Sequence, residues 1–291
     1  MKKSWNYHSF TLFLLAPWIL VFVSIWLYPL LYSAFLSFHE YNSLTGDSTF
    51  VGLGNYSAVF QDDLFWHSLK VSGIFTLGTV PISTALALFL AILLNSKLAM
   101  FKNFFRSILF LPSVTSIVVL ALIFTNLYAK DGYLNLLLQA VSIPTPSKGW
   151  LLEPNTALYS IMAMDIWIAT GYYMVLFLAG LQAISNDLYE SARLAGASAW
   201  QQFRMITLPL LKPTLTFVLI INTIKSLQVF VEIIIMTKGG PLKSTTTVVY
   251  QIFKYAFDKT DMMGYASAIA YLLFIILIVV SYLQTKLLQE K

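Results

Sequence analysis

Six long apolar runs, separated by shorter polar stretches, dominate the hydrophobic pattern of this chain. They fall at about residues 11–35, 71–94, 107–129, 156–182, 213–237 and 264–287. Each exceeds the roughly 20 residues that a helix needs to cross about 30 Å of hydrocarbon. Backbone N–H and C=O groups in lipid must pair within their own segment, so each run predicts a transmembrane helix. A membrane barrel would show alternating segments of about 10 residues instead, and the chain has no such pattern. Lys2 and Lys3 precede the first run much as they would a signal peptide. That run is too long for a signal core and ends without a small-x-small site, so it is expected to stay as a helix. The expected fold class is an all-α membrane protein with six transmembrane helices, in one transmembrane domain over residues 1–291.

Composition supports lipid as the solvent. Hydrophobic residues make up 58% of the chain, charged residues 11%, and the mean hydropathy is +0.75. A soluble domain carries about 25% charged residues. The absence of cysteine excludes disulfides and thiolate metal sites. Six spans place both termini on one side. Taking that side as cytoplasmic puts ten basic residues inside: Lys2, Lys3, Lys97, Lys102, Arg106, Arg193, Arg204, Lys212, Lys286 and Lys291. Seven lysines and eight acids lie outside, and all three arginines lie inside, the bias expected of cytoplasmic loops. The formal charge of +5 follows from this bias and calls for no nucleic acid.

One inner loop, 183–212, is long enough for its own helices. Asp187 and Glu190 have the spacing of a capping-box start, with Ser185 and Asn186 as further cap candidates. Leu188, Ser191, Ala192, Ala195 and Ala199 then share one small-to-apolar face, a surface another protein can approach closely. Gly196 permits a break, and Pro209 is expected to stop a second short helix near 200–208. Within this loop, Glu190-Ser191-Ala192-Arg193-Leu194-Ala195-Gly196-Ala197 followed by Ile206-Thr207-Leu208-Pro209 resembles the E-A-A-x-x-D-G-A … I-x-L-P loop of bacterial ABC importer permeases. The resemblance implies a coupling element that docks into a groove of an ATPase, with Glu190, Ala192, Gly196, Leu208 and Pro209 as docking and hinge positions. Ser191 and Ala195 depart from the motif. Both are small, and Ala195 removes the acid that usually precedes the glycine.

Phe50-Val51-Gly52-Leu53-Gly54-Asn55-Tyr56, Thr237-Lys238-Gly239-Gly240-Pro241 and Thr245-Thr246-Thr247 are similar to outer-loop signatures of carbohydrate-uptake permeases. That group takes oligosaccharides, sugar glycosides and glycerol phosphates. With Phe65-Trp66-His67-Ser68 and Gln182-Ala183-Ile184, the resemblance covers nearly the whole chain. It implies a type I importer core in a bacterial inner membrane. It further implies a second homologous permease, two ATP-binding subunits that hold ATP and Mg, and an extracytoplasmic solute-binding protein. The chain carries no G-x-x-x-x-G-K-[ST] phosphate loop, since Gly239-Gly240-Pro241-Leu242-Lys243-Ser244 has the wrong spacing. No cofactor and no catalytic role of its own are expected, and hydrolysis falls to a partner.

Three ionisable residues lie within the runs: Asp165, Lys225 and Glu232. Each costs about 2.5–3.5 kcal/mol at a span centre on insertion scales, so such groups face the bundle or a cavity. Asn222, Lys225, Ser226 and Val229 share one helical face, and Glu232 extends it. Asp165, Ile168, Ala169 and Tyr172 form a second stripe, with Trp167 and Tyr173 beside it. Hydroxyl-matching polar groups beside aromatic faces suit a sugar. The family resemblance places its solute contacts on these stripes, at Ile168, Ala169, Tyr172, Asn222, Lys225, Ser226 and Val229, with Gln228 a neighbour. A plain structural pairing of Lys225 with Asp165 or Glu232 is the bland counterpart. A secondary transporter using the three charges as an ion relay is the functional alternative.

The remaining features read as structure. His8, His39 and His67 are dispersed, without metal or triad spacing. Trp5, Tyr128 and Trp150 sit where interface anchors belong, and Met162, Met164 and Met174 are expected to pack.

Overall fold

The computed structural model describes residues 7–96 and 101–289. Lys2, Lys3, Trp5, Lys97 and Lys291 fall outside the described residues, as does the side chain of His8. In chain order, α1 (Tyr7–Val21) passes through a π-helical segment, Phe22–Leu27, into α2 (Tyr28–Ser37). A hairpin of β1 (His39–Tyr41) and β2 (Ser48–Phe50) leads to α3 (Gly54–Gln61) and the long α4 (Asp63–Asn95). Then follow α5 (Lys102–Val114), α6 (Ile117–Leu127), α7 (Tyr133–Ala140) and α8 (Pro154–Gln182). Beyond these lie α9 (Asn186–Leu194), α10 (Ala199–Gln202), a second π-helical segment, Phe203–Thr207, and α11 (Leu208–Leu227). The chain finishes with α12 (Val231–Met236), α13 (Val248–Phe257) and α14 (Met263–Gln289).

Five stretches are long and apolar enough to span: Phe13–Ser37, Asp63–Asn95, Pro154–Gln182, Ala199–Met236 and Met263–Leu288. The count reaches six if α5 and α6, bent by 95°, form one span. A straight helix over 107–129 is therefore corrected to a broken one. Pro112 withholds a backbone donor, and Thr115 and Ser116 leave the helical region (ψ 148° and 124°). The hydroxyl of Ser113 donates to the Ile168 carbonyl at 2.9 Å, and that of Thr115 to Leu111 at 2.9 Å, so side chains occupy acceptors around the bend. The 213–237 run breaks too, since Gln228–Phe230 separates α11 from α12. Pro209 does not stop a helix. It sits in the first turn of α11, where a missing N–H is tolerated, directly after the π-helical segment.

The chain divides into two compact units, Met1–Phe65 with Ile252–Leu273 and Trp66–Gln251 with Phe274–Lys291. In the first unit, α1, the π-helical segment and α2 are apolar around most of their circumference, with side chains such as Trp18 and Trp26 exposed, as lipid permits. The signature at 50–56 is architectural. Gly52 supplies a left-handed turn (φ +56°), and Asn55, buried, donates through Nδ2 to the carbonyls of Ser37 and His39, both at 3.0 Å. Tyr56 pairs with the Ser37 hydroxyl at 2.7 Å. The Asn55 bond to Ser37 satisfies a carbonyl that α2 leaves open at its C-terminus, and the bond to His39 ties the start of β1 to α3. Gly264 lies so close to the His39 carbonyl that any Cβ would collide with it.

In the second unit, one apolar cluster joins Phe75, Leu120, Ile161, Met164, Ile168 and Ile233, and another joins Ala91, Tyr173, Met174, Phe177 and Leu211. Met162, Met164 and Met174 pack in these clusters as expected. α5 approaches α8 closely because Gly171 faces the Leu109 backbone, where a Cβ has no room. Tyr128 and Trp150 are not outward anchors. Tyr128 is buried, and Trp150 donates through Nε1 to Asn135 Oδ1 at 2.6 Å, tying the 129–150 loop together.

Candidate functional site

The two helix breaks of the second unit meet. The α5–α6 bend supplies Ser113 and Thr115, and the α11–α12 gap supplies Gln228, Val229 and Phe230, to a cavity of about 500 Å³. Lys225, Glu232 and Ile168 complete its working wall. Irregular backbone at membrane depth is tolerated where it lines a cavity, and here both irregular segments do so.

The charges are placed on this wall. Lys225 Nζ lies 2.8 Å from Asp165 Oδ1, joining α11 to α8. Asp165 is buried, while the Lys225 side chain keeps 43% of its exposure. An ammonium has three donors, so Lys225 retains capacity toward the cavity after meeting Asp165. Glu232 is buried beside it but lies beyond the break, so the helical face through Asn222 and Lys225 does not continue to it in register. Among the described residues, no group of three acids or histidines is arranged to hold a metal.

The sequence-derived site residues separate into groups. Ile168, Lys225 and Val229 line the cavity, with Gln228 beside them. Asn222 and Ser226 face α4 instead. Asn222 Nδ2 donates to Ser83 Oγ at 2.9 Å and Thr84 Oγ1 at 3.2 Å, and Ser226 pairs with Thr79 Oγ1 at 3.1 Å. Ala169 is packed in the core. Tyr172 stands on the open face of α8, 44% exposed, edge-on to Tyr173 at 5.3 Å between ring centroids. Sequence reasoning missed Ser113, Thr115 and Phe230. The signal for the first two was the Pro112-Ser113-Val114-Thr115-Ser116 interruption of an otherwise apolar run. A second cavity, about 520 Å³, is lined by Phe124, Tyr128, Trp150, Tyr159 and Trp167, and no sequence motif announces it.

The 183–212 loop folds as two helical pieces. Ser185, not Asp187, caps α9, accepting from the Asp187 N–H at 3.2 Å. The full capping box lies further on, between Ser198 and Gln201. Gly196 adopts φ +78° at the turn. Tyr189 and Thr207 join hydroxyls at 2.9 Å, bracing the two pieces. Glu190, Gly196, Leu208 and Pro209 are exposed and Ala192 is half-buried. The outward surface is not composed of small residues alone, because Leu194 (91% exposed), Trp200 and Met205 project from it. Exposed apolar side chains beside charges are what a docking surface presents.

Apolar spans, two of them interrupted around a cavity with a few polar groups on an apolar wall, are the architecture of a multi-pass membrane protein with a pathway for solute. The chain belongs to the family described as "Binding-protein-dependent transport system inner membrane component", whose model matches residues 83–291. It is similar to the lactose transport system permease protein of Rhizobium radiobacter, 34% identical with 95% of this chain and 93% of that protein covered. It is also similar to the trehalose/maltose transport system permease protein of Thermococcus litoralis, 35% identical with 89% and 86% covered. A bacterial ABC transporter involved in the import of the acidic polysaccharide alginate shares the fold, with TM-score 0.83, 22% identity, and 97% and 96% of the two chains covered. The fold is thus that of a type I ABC importer permease, and the protein is a multi-pass inner-membrane transport subunit. The ion-relay alternative through Asp165, Lys225 and Glu232 is not favoured by this membership.

Proposed function

We propose that this chain is a permease subunit of a carbohydrate importer, passing solute through the cavity between its two broken helices. One observation carries the reading: Ser113, Thr115, Lys225, Gln228 and Glu232, all able to bond hydroxyls, converge on a cavity whose remaining wall is apolar. Ile168, Lys225 and Val229 touch the solute in this account. Asn222 and Ser226 hold α11 against α4 behind the wall, Ala169 packs behind Ile168, and Tyr172 offers an aromatic face beyond the cavity. Because Lys225 is paired with Asp165 and Glu232 adds another carboxyl, the wall carries no surplus cation, and a neutral sugar suits it better than a sugar acid or phosphate. The lactose and trehalose/maltose permeases named above, to which this chain is similar, are named for neutral sugars.

The rest of the machine comes from partners. Two ATP-binding subunits hold ATP and Mg and dock on the 183–212 loop through Glu190, Ala192, Gly196, Leu208 and Pro209, with Leu194 and Met205 as added apolar contacts. A second homologous permease closes the pathway, and a binding protein delivers solute to the outer face. Both termini lie in the cytoplasm, the 1–291 chain acts as one transmembrane domain, and the chain itself performs no hydrolysis. The reading is tested by importing labelled lactose, maltose and galacturonate into vesicles holding the assembled complex. Uptake of a neutral sugar that requires both ATP and binding protein is expected. Uptake driven by an ion gradient through this chain alone would overturn it.

A further inference from the structure

Val229 sits in the α11–α12 gap, where its two backbone groups find their partners in different places. The Val229 N–H reaches the Ser226 carbonyl only at 3.4 Å. The Val229 carbonyl is met from elsewhere: the hydroxyl of Thr247, fully buried, donates to it at 3.0 Å. The next residue is clamped as well, since the Val248 N–H donates to Ser72 Oγ of α4 at 3.1 Å.

Thr247 closes a loop that is tied along its length. Thr245 Oγ1 donates to the Gly240 carbonyl at 2.7 Å and Thr246 Oγ1 to the Gly239 carbonyl at 3.0 Å. Thr245 also meets the Thr237 hydroxyl at 2.7 Å, and a His67 ring nitrogen lies 3.0 Å from the Lys243 carbonyl. Lys238, Leu242 and Lys243, none of them glycine, hold positive φ of 50°, 50° and 64°. Such backbone persists only where its surroundings over-determine it, and here the three threonine hydroxyls do so. The loop is therefore stiff, and its last side chain grips the cavity wall.

We propose that Thr247 is a positioning residue for the solute cavity: its hydroxyl fixes the Val229 carbonyl, holds the α11–α12 gap open in one geometry, and links that wall to the 237–247 loop. This inference rests on the cavity reading above for its relevance to transport, but its geometry stands apart from the identity of the solute. A buried carbonyl that loses its partner is left desolvated and unpaired, so the gap relaxes when the hydroxyl is removed. Removing the Thr247 hydroxyl then alters Gln228, which begins the gap, and Lys225, one turn before it, without touching either.

Hydrogen exchange of the full-length protein in its assembled complex, read by mass spectrometry, tests this. Thr247→Val is expected to speed exchange of the 228–233 amides about tenfold, the effect of losing one buried hydrogen bond. Thr247→Ser keeps the hydroxyl and is expected to restore wild-type exchange. Thr245→Val, which loosens the same loop without touching Val229, should leave 228–233 unchanged. Should Thr247→Val fail to assemble, Thr247→Ala removes the same hydroxyl with less demand on space. Unchanged exchange at 228–233 in the hydroxyl-less variant, or an equal rise across the unit in both Val and Ser variants, would overturn the proposal. A complex that moves no carbohydrate while Thr247→Val still loosens the gap would overturn the cavity reading and leave the latch standing.

Discussion

Lys225 and Asp165 show how one residue pair serves both the fold and the site. The Asp165 side chain is buried and the Lys225 side chain is partly exposed, so the two members respond differently to deletion. Lys225→Met leaves a buried carboxylate without its cation and is expected to lower stability, toward the lower end of about 3–5 kcal/mol because Lys225 is partly solvated. Asp165→Asn removes the buried charge and frees the ammonium, so it is expected to destabilise less while admitting anionic sugars to the cavity. Thermal unfolding of the two variants in one detergent orders them, and equal losses would contradict this asymmetry. Asn55 is a second single-residue test. Asn55→Ala leaves the Ser37 and His39 carbonyls without this donor and is expected to cost about 1–3 kcal/mol.

At the scale of elements, apolar length made the spans legible, because a helix is the only way an isolated apolar segment satisfies its backbone in lipid. What length could not reveal was continuity. The 107–129 and 213–237 runs look unbroken by hydropathy, yet each is interrupted: at the first break Ser113 donates to the Ile168 carbonyl of α8, and at the second Thr247 donates to the Val229 carbonyl. For Val229 the hydroxyl comes from Thr247, distant in sequence, so no local window contains the reason for that gap, whereas Pro112, Ser113 and Thr115 lie within the 107–129 run itself. The candidate site was half legible for the same cause. Helical spacing grouped Asn222, Lys225, Ser226 and Val229, but packing against α4 claims Asn222 and Ser226 and leaves Lys225 and Val229 on the cavity. In the 183–212 loop, composition suggested a small-residue face, and the fold adds Leu194 and Met205 to it. Glu190→Ala is expected to keep the melting temperature while reducing uptake per ATP hydrolysed, because Glu190 is exposed and bears no fold contact of note. Gly196→Ala faces open space, so only its left-handed φ is penalised, by about 1 kcal/mol.

For the whole molecule, apolar spans, a cavity with polar groups set in an apolar wall, and an exposed loop that carries apolar side chains together fit the proposed gate driven by partners. Membership of a binding-protein-dependent transport family agrees with this reading. The most direct test of this account is sugar uptake into proteoliposomes that contain the full-length chain, measured with and without its ATP-binding subunits, second permease and binding protein. ATP-dependent accumulation only when all partners are present, lost on Lys225→Met and unaffected by collapsing ion gradients, is the predicted result. Accumulation by this chain alone, abolished by collapsing an ion gradient, would contradict it.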